Sequence, residues 1–149
     1  GEDQMLLLAF GSVASRLAVD PDFLMYAAIT GVLYALFESP FVRMLDKGDF
    51  GKALMAAGAA NLVSNWLSLL LEEELYASSM FGGAGWINLF GQILVFLVAV
   101  LIDTGVIWGI LRRPALKTLA YVAVANVATV VLAILIENYL WGGLGITYL

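Results

Sequence analysis

The stretch Leu36–Glu72 reads LFESPFVRMLDKGDFGKALMAAGAANLVSNWLSLLLE, and Leu101–Glu137 reads LIDTGVIWGILRRPALKTLAYVAVANVATVVLAILIE. Laid over one another without gaps, at the 65-residue step from Glu38 to Asp103, their polar residues coincide. Glu38 meets Asp103, Ser39 meets Thr104, Lys47 meets Arg112 and Lys52 meets Lys117. Asn61 meets Asn126, Ser64 meets Thr129 and Glu72 meets Glu137. Matches between leucines would mean little in so apolar a chain, but scarce polar residues seldom coincide by chance. Each copy is an apolar run, a short basic loop and a second apolar run, which is a hairpin of two helices. Two spans return the chain to its starting side. The copies therefore share one orientation, and a pseudo-twofold axis along the membrane normal should relate them.

Working outward, four long apolar segments appear: 23–45, 53–71, 86–111 and 119–136. Each is near or above the roughly 20 residues that a helix needs to cross the hydrocarbon core. A soluble bundle would carry a polar face on every helix, and these segments lack one. The 149 residues are 62% hydrophobic and 13% charged, with a mean hydropathy of +0.96, which excludes a soluble globular enzyme and a disordered chain. Asp20-Pro21-Asp22 marks the first helix start, with a capping acid, a proline suited to the first turn and a second acid at the positive end of the dipole. Residues 4–19 are too short to span comfortably and are expected to form an interfacial helix; a fifth, short spanning helix is the rival expectation. The fold expected is an all-α integral membrane protein of four transmembrane helices as two tandem hairpins, preceded by that amphipathic helix. Its parts are 1–22 (interfacial helix and linker), 23–85 (repeat 1) and 86–149 (repeat 2).

Six of the seven basic residues lie in or beside two loops: Arg43, Lys47 and Lys52, then Arg112, Arg113 and Lys117. The positive-inside rule makes the 43–52 and 112–117 loops cytoplasmic, in a plasma or inner membrane, with both termini and the Glu72-Glu73-Glu74 run outside. A net charge of −5 without any basic run argues against nucleic acid. With no Cys and no His, thiol chemistry, disulfides, haem, iron–sulfur clusters and ordinary zinc or copper sites are excluded. No serine has a histidine base, and no acid cluster with metal-ligand spacing stands at the cytoplasmic interface, so no enzyme is expected.

Glu38 lies nine residues before Lys47 and Asn61 nine after Lys52; Asp103 lies nine before Arg112 and Asn126 nine after Lys117. At 1.5 Å per residue each sits about 13 Å from its loop, close to the midplane. Two carboxylates and two carboxamides, one from each helix, thus share one depth. Ser64, Asn65 and Ser68 continue the face of Asn61, Thr129 that of Asn126, Tyr34 that of Glu38, and Gln92 begins the face that reaches Asp103. Glu72 and Glu137 stand at the outer end as an entrance.

Ionisable groups at this depth are costly unless paired or hydrated. Oxygen ligands without His or Cys suit hard cations. The expectation is a small transporter or channel moving a hard cation (Mg²⁺, Ca²⁺, Mn²⁺ or Na⁺) or coupling to protons. Glu38 and Asp103 are the charged ligands, with Asn61 and Asn126 as neutral ones. The alternative is a non-catalytic subunit of a larger membrane complex, in which Glu38–Asn61 and Asp103–Asn126 merely lock each hairpin by hydrogen bonds. Either way the partners expected are the lipid bilayer and further copies or other membrane subunits.

Five lesser features complete the reading. Pro40 should kink the first helix and free the Leu36 carbonyl near Glu38, either as a further ligand or as no more than a packing kink. The small-residue sets Ala27-Gly31-Ala35 and Gly105-Gly109 should be close-packing faces, inside the bundle or between protomers. Trp66, Trp86, Trp141, Tyr76, Tyr139 and Tyr148 read as outer interfacial anchors. Glu72-Glu73-Glu74 reads as solvated surface, and the glycine-rich 81–85 and 141–145 segments as turns.

Overall fold

A computed structural model describes residues 15–77 and 85–135. Four α-helices account for most of them: α1 (Pro21–Asp46), α2 (Phe50–Ala77), α3 (Gly85–Leu111) and α4 (Ala115–Leu135). All four are long and apolar enough to cross a membrane. Residues 15–17 are helical and lead through a turn to Asp20. The rest of the expected interfacial helix, residues 81–84 and 141–145 of the glycine-rich segments, Glu137 and the outer aromatics 139, 141 and 148 lie outside the described residues.

The helices start and stop where local chemistry dictates. Asp20 caps α1, its side chain accepting from the Asp22 and Phe23 amides at 2.9 and 3.0 Å. Asp49 turns the first loop, accepting from the Gly51 amide at 2.9 Å. Helices α1 and α3 both end in a left-handed basic residue, Lys47 (φ 52°) and Arg112 (φ 55°). Each donates its amide one turn back, to Arg43 O at 2.8 Å and Trp108 O at 2.9 Å. Helix α2 begins three residues before the apolar run and continues six beyond it, because Glu72-Glu73-Glu74 are good helix formers. Within that run Glu74 is buried, so it is not the plain solvated surface expected.

The bundle is inverted relative to a soluble one. Its interior holds small and polar side chains, among them Ala53, Ala56, Ala57, Ala60, Glu38, Asn61, Ser64 and Asp103. Its exterior carries Leu33, Leu36, Leu97, Leu101, Val127 and Val131, each about half exposed or more. That distribution suits a lipid surround, where tails solvate leucine and small residues let helices approach. Helix α1 packs along α2, α2 on α3, α3 on α4 and α4 back on α1, so the ring is closed. The face of α1 carrying Ala27, Gly31 and Ala35 is buried inside the ring. A Cβ on Gly31 would stand 3.2 Å from the Asn61 carbonyl and 3.4 Å from Leu62 Cα, so glycine sets the α1–α2 approach. Gly105 and Gly109 set no such approach within the chain: no described atom lies within 4 Å of a Cβ there.

The interior of the bundle half nearest the two loops is apolar. Val42, Leu45, Ala53, Ala56, Ile107, Leu111 and Val122 fill it. Arg113 closes the loops together, its Nε bonding Asp46 Oδ1 at 2.7 Å and its Nη2 the Asp46 carbonyl at 3.1 Å. At the same end Arg43, Arg112 and Lys117 sit over the rings of Phe50, Trp108 and Tyr121, 5.7, 5.6 and 6.0 Å from their centroids. This is the aromatic and basic fringe of a membrane interface. The sequence points to anchors only at the opposite end, where the Trp66 indole nitrogen is buried without a hydrogen-bond partner.

Candidate functional site

The four midplane side chains converge. Asn61 donates its amide to Glu38 Oε2 at 2.9 Å and to the Ala57 carbonyl at 3.0 Å. Asn126 does the same 65 residues later, to Asp103 Oδ2 at 3.1 Å and the Val122 carbonyl at 3.0 Å. Each asparagine joins the acid of its own hairpin. A second link crosses between hairpins: Thr129 lies 2.9 Å from Glu38 Oε1. Ser64, its counterpart at the same step, reaches toward Asp103 as a looser polar contact. Glu38 is 2% and Asp103 1% exposed.

The acids are not equivalent. Both oxygens of Glu38 have partners. On Asp103 only Oδ2 is hydrogen-bonded, while Oδ1 is buried without a partner. Glu38 also borders open space and Asp103 does not. A cavity of about 370 Å³ runs through the bundle half remote from the loops. Glu38, Asn61 and Asn126 form its floor; Ser64, Thr129, Asn65 and Tyr34 come next, then Ser68, Gln92 and Glu72 toward the mouth. Along α2 the rise from Asn61 to Glu72 is about 16 Å. The described residues thus bring together every side chain of the expected site and path, with Asp103 just beneath the floor. Glu137 lies outside the described residues.

The sequence puts Ala99 on the face between Gln92 and Asp103, but it does not reveal the rest of the apolar wall: Leu69, Leu75, Val95, Phe96, Val130 and Ile134 also line the cavity. Helix α3 is apolar around its whole circumference near these positions, so periodicity carries no signal there. It also missed the α1–α2 link near the mouth, where Asn65 donates to the Ala27 carbonyl at 2.8 Å and to Thr30 Oγ1 at 2.6 Å.

Two ligand expectations change with the geometry. The Leu36 carbonyl freed by Pro40 accepts the Ser39 hydroxyl at 3.0 Å, so it is already satisfied. The amides of Asn61 and Asn126 direct their NH₂ groups, not their oxygens, at the carboxylates. Among the described residues no three acids stand together as a metal-binding group. What the floor offers is one partly accessible carboxylate and a second acid behind it.

The chain matches no protein-family model, no curated protein and no solved structure.

Proposed function

We propose that the chain is a small multi-pass membrane transporter that takes a cation from one side of the bilayer at Glu38 and couples its movement to a proton. The observation that supports this best is the one-ended cavity. It extends from the level of Glu72 and Ile134 down to a buried acid and ends above the apolar cluster of Val42, Ile107 and Val122, on the side where Asp46 binds Arg113. A channel would need a continuous path. A cup closed at one end is one state of an alternating-access cycle, with its site near the midplane as such cycles require.

The repeat supports the same reading. Besides the sequence matches, the acid–amide bonds, the left-handed helix ends at Lys47 and Arg112, and the buried pairs Ala53/Thr118, Ala57/Val122 and Ala60/Ala125 all recur at the same step. Two hairpins with such correspondence can rock about a shared axis while the site between them stays fixed. In this proposal the basic loops face the cytoplasm by the positive-inside rule, so the cavity mouth faces outward. Gly105 and Gly109 offer α3 as a contact for a second protomer.

The competing reading is a structural subunit in which Glu38–Asn61 and Asp103–Asn126 only lock the helices. The same bonds favour it. Reconstitution separates the two: the purified chain is placed in liposomes, and lumenal pH is followed while gradients of Na⁺, Mg²⁺ or an alkylammonium are imposed. Transport predicts gradient-driven proton movement that Glu38→Gln abolishes while the melting temperature is retained. Undiminished flux in a folded Glu38→Gln protein, or none in the wild type, defeats the transporter reading.

A further inference from the structure

We propose that the cargo is an amphipathic organic monocation, an amine or guanidine on an aromatic or branched aliphatic body, rather than a metal ion. This rests on the transporter reading and specifies what the same site accepts. Charge is the first argument. Glu38 lies at the floor and Glu72 higher up, and no Lys or Arg lines the cavity.

Size and walls come next. A volume of about 370 Å³ equals that of roughly a dozen waters, and falls within the range of pockets that enclose small organic ligands. A bare ion would leave nearly all of it to solvent. Val95, Phe96 and Ala99 on α3 and Val130 and Ile134 on α4 make one side of the cavity hydrocarbon. Such a wall contributes nothing to an ion's coordination but favours an apolar body by about 25 cal/mol per Å² buried. Phe96 and Tyr34 add ring faces that attract a cation.

The donor set argues against a divalent ion. Mg²⁺ and Ca²⁺ take six to eight oxygens. Here both Glu38 oxygens already have hydrogen-bond partners, and the Asn61 and Asn126 amides turn nitrogen toward the carboxylates. An ammonium or guanidinium needs only acceptors at hydrogen-bond distance, which a carboxylate supplies in one direction. Ser68 Oγ, buried without a partner and on the cavity lining, lies about 10 Å along α2 from the level of Asn61. It can meet a second polar group at the far end of the cargo.

Equilibrium dialysis of the purified full-length chain in nanodiscs against labelled phenethylammonium tests this, with phenethyl alcohol, Na⁺ and Mg²⁺ as competitors. Saturable binding is expected, weakened at least tenfold by Glu38→Gln and by the cavity-filling Ala99→Phe. Val130→Trp is the second filling variant should Ala99→Phe not fold. Neither the alcohol nor the metal ions should compete. Equal binding of the neutral alcohol would mean a lipid-like groove and overturn the proposal, as would unchanged affinity in a folded filling variant. Failure of phenethylammonium to bind, alongside Glu38-dependent proton flux driven by Na⁺ or Mg²⁺, overturns the cargo assignment and leaves the transporter reading standing. Absence of both overturns the two together.

Discussion

Thr129 on α4 lies 2.9 Å from Glu38 Oε1 on α1 and also 2.9 Å from the Ala125 carbonyl one turn back. A hydroxyl has one hydrogen, so it cannot donate fully to both. The conflict disappears if Glu38 carries a proton on Oε1 and donates it to Thr129, whose own hydrogen then goes to Ala125. Asn61 meanwhile donates to Oε2, which remains a pure acceptor.

That arrangement predicts a neutral carboxylic acid in the resting bundle. Infrared difference spectroscopy of wild type against Glu38→Gln should show the carbonyl stretch of a protonated acid, and binding of an organic cation should convert it to carboxylate bands. Thr129→Val should cost about 1 kcal/mol of stability, the scale of a membrane hydrogen bond with an unpaired partner left behind. Thr129→Ser should restore most of it. Carboxylate bands alone in the unliganded protein would refute the proton placement.

Much of this site can be read from the sequence, for reasons that also mark where reading stops. The depth of Glu38, Asn61, Asp103 and Asn126 follows from nine residues at 1.5 Å each. The acid–amide pairs follow from hairpin geometry, because facing helices of equal pitch bring equal depths together. The Thr129–Glu38 bond does not follow, since it depends on how one hairpin turns toward the other, and an isolated helix pattern does not encode that. The Asp46–Arg113 pair also hides, because the repeat step sets Asp46 opposite Leu111 and Arg113 opposite Gly48. It is a contact that breaks the symmetry rather than repeating it. The apolar wall hides among residues that look alike on every face of α3.

Glycines at two positions should respond oppositely to the same change. Gly31→Val places γ-carbons beyond a Cβ that already stands 3.2 to 3.4 Å from the α2 backbone and Leu62. Helices α1 and α2 must separate, at about 2 kcal/mol or more, and the Asn61–Glu38 bond should lengthen with them. A Cβ at Gly105 meets no described atom within 4 Å, so Gly105→Val should change monomer stability by less than about 0.5 kcal/mol. Thermal melting of both variants decides the matter; a large loss at Gly105 without a change in oligomer mass would contradict the packing described.

Ser39 and Pro40 form a testable pair within α1. Proline lacks the amide that would bond the Leu36 carbonyl, and the Ser39 hydroxyl replaces it at 3.0 Å. Ser39 is 1% exposed, so Ser39→Ala leaves that carbonyl without a donor and should cost about 1 kcal/mol. In a Pro40→Ala background the returning amide takes over, and the same Ser39→Ala change should cost close to nothing. Equal losses in both backgrounds would show that the serine stabilises α1 in some other way.

The Asp46–Arg113 bridge predicts an unequal pair of losses. Its two ends differ in environment: the Asp46 side chain is 6% exposed, that of Arg113 47%. Removing the acid by Asp46→Ala leaves an arginine that water and headgroups can solvate, so the cost should stay below about 1 kcal/mol. Removing the base by Arg113→Ala leaves a buried carboxylate without its strongest donor, and the cost should reach about 2 kcal/mol. Arg113→Lys should fall between, because an ammonium is a poor match for the side-chain and backbone oxygens that the guanidinium spans together. The bridge also ties the two loops at the packed end, which must open if the cavity is to reach the other side. Both alanine variants should therefore raise the rate of gradient-driven flux in liposomes even where they lower the melting temperature. A slower flux in Asp46→Ala, with its small stability loss, would mean that the bridge supports transport instead of restraining it.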